Sequence, residues 1–225
     1  MSAGTMERMT MSDGAEIGVY HARPSGARRG GLVLIQEIFG VTAHIRSVCD
    51  DYAALGYEVL APAIFDREAP GFEIDYTRFD EGIKLARKVH PFDLTLADTQ
   101  TCVDALAETD GPVFVVGYCY GGSVAWFAAT RMHNVTAASG YYGGMIAAAA
   151  DEEPKVPVIL HFGKLDAHIS MAEVETIAAK DWPNATVYTY DADHGFNSDR
   201  RAQYDEAAAT LAKQRTFDLF HANGG

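Results

Sequence analysis

At 225 residues, 48% of them hydrophobic and 22% charged, the chain has the composition of one globular domain with a sizeable core. Its formal net charge of −13 sets it against nucleic acid and against anionic membrane, both of which are bound through basic patches. Three cysteines without CxxC spacing, an N-terminus lacking an apolar leader and the lack of any apolar run of about 18 residues predict a cytoplasmic protein with no disulfide framework and no membrane span.

The first elements are short. MTMSDGAEIGVYHARP (9–24) predicts two strands around the turn at Asp13 and Gly14. GLVLIQ (31–36) is a continuous apolar run, the pattern of a parallel strand covered on both faces. Ile45, Val48, Cys49, Tyr52 and Ala53 fall at helical spacing and Gly56 stops that helix. YEVLAPA (57–63) is the next strand, and a loop punctuated by proline and glycine follows from Pro62 to Asp75. Helical patterns cover 77–89 and 94–108.

PVFVVG (112–117) is then a strand, 120–131 a helix and VTAASGYY (135–142) a strand. VPVILHFG (156–163) and ATVYTY (185–190) are strands separated by a helix over 171–180, and a last helix covers 201–220. The alternation predicts a single α/β domain over 1–225, with a mostly parallel sheet and helices on both faces.

Ligands in such sheets bind beyond the carboxyl ends of the strands, where Cys119 stands between PVFVVG and the following helix. Its surroundings, Gly-Tyr-Cys-Tyr-Gly-Gly (117–122), have the form of a sharp strand-to-helix turn that presents a nucleophile. A free cysteine is otherwise a small core residue, and Cys49 and Cys102, on apolar helix faces, are read that way. A thiol nucleophile needs a base and the base an orienting acid. Asp166 follows VPVILHFG and His194 follows ATVYTY, giving the chain order nucleophile, acid, histidine, each beyond a strand.

Other polar residues compete for these roles. His161 lies within an apolar strand and is read as core, and His168 as structural or pocket-lining. Asp191 and Asp193 are read as turn residues too close to His194 to reach its far nitrogen. Neither a metal-binding HExxH spacing nor a GxGxxG or GxxxxGK[ST] motif is present, so no cofactor is expected.

Gly-Tyr-Cys-Tyr-Gly-Gly, LVLIQEIFGV (32–41), GKLDAH (163–168) and DADHGF (191–196) together resemble the dienelactone hydrolase (carboxymethylenebutenolidase) family of the α/β-hydrolase fold, from about residue 10 to 220. The resemblance implies a Cys119–His194–Asp166 triad, an oxyanion hole made by the N–H groups of Ile38 and Tyr120, and a Glu37 carboxylate that hydrogen-bonds the resting thiol and controls its ionisation. It implies hydrolysis of a small carboxylated enol-lactone in aromatic degradation.

The family's substrate carboxylate meets two arginines. Arg78 fits the first, while Ser198 aligns with the second and leaves Arg200 or Arg201 for that role. Tyr141, in GYYGG, is implied to line the pocket. The departure at Ser198 keeps a broader carboxylesterase or thioesterase open as the alternative. A catalytically silent binding protein is disfavoured by the intact triad order.

Overall fold

The apolar runs become one eight-stranded sheet in the computed structural model, which describes residues 3–225. The chain runs β1 (Thr5–Thr10), β2 (Glu16–Ala22), β3 (Gly30–Ile35), α1 (Ala43–Ala54), β4 (Tyr57–Pro62), α2 (Phe79–Lys84) and α3 (Phe92–Ala107). It continues through β5 (Val113–Tyr118), α4 (Tyr120–Arg131), β6 (Ala137–Tyr141), β7 (Val158–Gly163), α5 (Met171–Ala178), β8 (Ala185–Tyr190) and α6 (Glu206–Ala222). A π-helical turn, Leu85–Val89, continues α2, and a 3-10 turn, Ala147–Ala149, follows β6.

The spatial order is β1-β2-β4-β3-β5-β6-β7-β8. β2 pairs antiparallel with β1 and β4, and every other pairing is parallel. This is the mostly parallel α/β-hydrolase sheet. β3 and β5 are buried along their whole length because helices cover both faces, whereas the edge strand β1 has largely exposed side chains.

Two adjacent glycines show which helices lie on which face. A Cβ on Gly31 would meet Leu106 of α3 at 2.8 Å, while one on Gly30 would meet Phe114 at 3.4 Å, whose ring stacks on Phe220 of α6 at 4.1 Å. Successive strand residues point to opposite faces, so α3 and α6 lie on opposite sides of the sheet. Tyr52 of α1 packs against Phe217 and Phe220, joining α1 to the α6 side, and Phe92 of α3 packs against Tyr120 and Phe127 of α4.

Two helical segments differ from their expected extents. The segment expected over 77–89 is α-helical only to Lys84 and then widens into the π-turn. The last helix, expected from 201, starts at Glu206 because the Asp205 side chain caps it by accepting from the Ala208 N–H at 2.8 Å. Residues 201–205 stay in the loop that carries Arg201. Among the described residues no helix is long and apolar enough to cross a membrane.

Candidate active site

β3 has β4 on one side and β5 on the other, so successive connections diverge and open a crevice at the carboxyl ends of the strands. Cys119 stands there, one residue past the end of β5 and one before α4. Its backbone is left-handed, with φ 55° and ψ −108°, a conformation that costs a non-glycine residue about 1–3 kcal/mol and needs close packing to persist. Neighbouring glycines provide that packing. A Cβ at Gly117 would lie 1.8 Å from the Gly121 carbonyl oxygen, and one at Gly121 would lie 2.3 Å from that of Ile35. The Cys119 N–H donates to the Tyr141 carbonyl at 2.9 Å and the Gly121 N–H to that of Gln36 at 3.1 Å, locking the turn between β3 and β6.

His194 lies beyond β8 and Asp166 beyond β7. The Asp166 Oδ2 accepts from His194 Nδ1 at 2.7 Å, while its Oδ1 accepts from the N–H groups of His168 (2.7 Å) and Ile169 (3.1 Å). Burial resists the Asp166 charge, but the bond and charge of His194 outweigh it and hold the carboxyl below its usual range. Burial likewise pushes the His194 ring down, yet the negative charge that Cys119 carries when ionised and the Asp166 hydrogen bond together raise it to about 10. Nε2 is thereby left free for proton transfer at Cys119. Asp191 is instead an exposed partner of Lys164, and Asp193 accepts from the His194 backbone N–H, so neither competes for the ring.

Cys119 and His194 open on a cavity of about 350 Å3 whose wall includes Ile38 and Tyr120. Among the described residues the backbone N–H groups of Ile38 and Tyr120 donate to no protein acceptor. The arrangement can form a thiolate–imidazolium pair and offer unpaired N–H donors to a developing oxyanion.

The dienelactone hydrolase family model matches residues 17–224, nearly the whole of this chain. The chain belongs to the dienelactone hydrolase family. A Synechocystis sp. protein named "Putative carboxymethylenebutenolidase" is 35% identical, with 91% of each chain covered. Carboxymethylenebutenolidase 1 of Cupriavidus pinatubonensis is 28% identical, with 94% of each covered. The crystal structure of a "Putative Dienelactone Hydrolase" from Klebsiella pneumoniae superposes with a TM-score of 0.84 at 29% identity, covering 98% of this chain and 99% of that one. The chain is therefore a dienelactone-hydrolase-like hydrolase of carboxylic esters or lactones.

Within this dienelactone hydrolase relative, several expected site residues lie elsewhere. Arg78 is exposed and paired with Glu81 one helical turn on, outside the cavity wall. Arg200 is 60% exposed beside Asp199 and also lies outside it. Tyr141 is fully buried, its hydroxyl bonded to Thr216 Oγ1 at 2.8 Å, so it faces α6 and supports Cys119 only through its carbonyl. Ser198 is buried, bonded to the Tyr76 hydroxyl at 3.2 Å.

Glu37 departs from expectation in its partner. Its side chain is 1% exposed, and Oε1 accepts from Arg201 Nη1 at 3.3 Å while Oε2 is buried without a partner. No hydrogen bond joins Glu37 to Cys119 among the described residues; the carboxylate's one bond is to Arg201. The guanidinium sits 5.5 Å from the Tyr76 ring centre and against Gly195, where a Cβ would meet it at 2.5 Å.

His168 lines the cavity, stacked on Phe79 at 5.4 Å and edge-on to His194 at 5.3 Å. His161 is fully buried and its ring is pushed down to about 3 by burial, as a core histidine should be. Cys49 and Cys102 are fully buried and burial raises both thiols. Two residues were not singled out in the sequence. Tyr142, with φ 40°, places its ring 4.9 Å from His194 and buries an unpartnered hydroxyl; its only signal was its place in GYYGG. Arg87 lines the cavity from the π-turn, a position helical periodicity does not reveal.

Proposed function

We propose that the chain hydrolyses carboxylic esters, small enol-lactones among them, through a thioester on Cys119. His194 takes the Cys119 proton, and the thiolate adds to the ester carbonyl. The N–H groups of Ile38 and Tyr120 receive the oxyanion as it forms. Collapse breaks the carbon–oxygen bond of the ester, and His194 Nε2 gives its proton to the departing alkoxide. A water then gives a proton to His194 and adds to the thioester, releasing the acid and restoring the thiolate–imidazolium pair. Asp166 holds the ring and its charge throughout.

The observation that carries this reading is the His194 ring, bonded to Asp166 at 2.7 Å and raised by the thiolate charge of the strained Cys119. Glu37 is buried beside the site, with Oε2 unpartnered and Oε1 held by Arg201. A broader carboxylesterase or thioesterase range is favoured by the cavity wall, which neither Arg78 nor Arg200 reaches and where Phe79, Ile83 and Ile169 are apolar and Arg87 is the one arginine.

A panel of esters with and without a carboxylate on the acyl side, assayed with wild type and Cys119→Ala, tests both parts. Loss of all turnover in the variant supports the triad, and wild-type turnover of neutral esters supports the broader range. A variant that keeps wild-type rates sinks the triad.

A further inference from the structure

The active-site cavity adjoins a second hollow. A groove of about 820 Å3 shares Ala86, Arg87, Gly144 and Met145 with the cavity of about 350 Å3 around Cys119. It does not include His194, or the His168, Phe79 and Ile169 beside it. The direction of exit assigns the two halves of an ester. A leaving group must lie at His194 to take its proton, so the arm that runs into the groove is the acyl arm.

The groove has its own chemistry. Phe92, Phe127 and the small side chains of Ala148 and Ala149 form an apolar floor and wall. Arg87 and Lys88 stand over it, both exposed, and among the described residues neither makes an ion pair. They share this with Arg29, Lys84, Lys155 and Arg215, whereas Arg8, Arg23, Arg28, Arg46, Arg67 and Arg131 each hold a carboxylate; Arg87 and Lys88 are set apart by standing side by side over an apolar groove. The groove's own carboxylate, Glu152, is occupied by Arg131 at 2.7 Å. The π-turn brings both cations here. Buried Ala86 and exposed Arg87 of this turn line both hollows.

On the ester-hydrolase reading above, we infer that the favoured substrate has an elongated acyl arm ending in an anionic group. The arm's chain lies along the apolar groove and its end meets Arg87 and Lys88, Arg87 being the specificity-determining residue. The simplest such substrates are half-esters of linear dicarboxylic acids. The alcohol leaves at His194 while the acyl group moves to Cys119, and water then releases the free diacid.

The test uses p-nitrophenyl esters in two matched series: fatty acids from acetyl to octanoyl, and half-esters of the diacids from succinic to suberic. Wild type is expected to gain in kcat/KM with acyl length and to prefer the charged member of each long pair. In Arg87→Gln the charged-to-neutral preference should fall about tenfold, and Arg87→Lys should restore part of it. Ala148→Trp, which fills the groove without touching the charge, should abolish the advantage of length. High salt should erode the wild-type preference, since the contact is exposed. A preference unchanged in Arg87→Gln, or a length dependence unchanged in Ala148→Trp, overturns the inference while leaving ester hydrolysis intact. Wild type inert on every ester sinks the ester-hydrolase reading and this inference with it.

Discussion

His194 keeps a proton that its burial resists, and the source of that proton affinity is testable residue by residue. Histidine-selective NMR should find the ring titrating near 10 in wild type. Cys119→Ala removes the thiolate charge and Asp166→Asn the hydrogen-bonded carboxylate, so each should bring the value down towards 6.5. An unchanged titration in Cys119→Ala would mean that the ring owes nothing to the sulfur. The sign for stability follows. The folded-state value lies above the ordinary one, so the protonated ring stabilises the fold fully below pH 6.5 and loses that effect as pH rises through about 10. The melting-temperature advantage of wild type over His194→Gln should shrink across that window. Glu37 and Arg201 form a second buried pair close to the site, with side-chain exposures of 1% and 10%. Arg201→Met leaves the carboxylate buried and uncompensated and should cost about 3 kcal/mol in denaturant unfolding. Adding Glu37→Gln should recover much of that loss, and additive effects in the double variant would contradict the pairing.

At the scale of elements, the turn after β5 and the turn after α2 do opposite things with the same backbone. The first is so tightly packed that Gly121→Ala, its Cβ 2.3 Å from the Ile35 carbonyl oxygen, should cost about 3 kcal/mol or more; melting at the wild-type temperature would show that the turn has slack. Its form was legible in the sequence because a nucleophile elbow imposes glycines at fixed positions. The strands were legible for a related reason, since β3, β5 and β7 are buried on both faces and are apolar but for His161 and the Tyr118 hydroxyl. Asp166 could be placed because it follows β7, and His194 because it follows β8, a half-exposed strand legible from its β-branched and aromatic residues. Arg87 could not, because a π-turn changes the angular step that helical periodicity assumes. Nor could the partner of Glu37 be read from spacing. Arg200 and Arg201 are adjacent in a loop, and only the Asp205 cap on α6 and the close approach to Gly195 turn the second one inwards. Arg78 was misplaced because its neighbour Glu81, one turn on, captures it at the surface.

The molecule as a whole gathers its chemistry at the carboxyl end of the sheet. Three separate crossovers deliver Cys119, Asp166 and His194 to the carboxyl ends of β5, β7 and β8, and the turn after β3 brings Ile38 to the same cavity. The acidic balance of the chain leaves two cations, Arg87 and Lys88, over the groove that leads away from it. A covalent step at the first of these sites is the central claim, and it can be weighed directly. Wild type, mixed with excess p-nitrophenyl ester and quenched in acid within the first turnover, should carry one acyl group by intact-protein mass spectrometry, located on the peptide containing Cys119. The label should be absent from Cys119→Ala and, under the same mixing time, greatly reduced in His194→Ala. Turnover without a label on Cys119, or a label that persists elsewhere in Cys119→Ala alongside wild-type hydrolysis, would contradict the account.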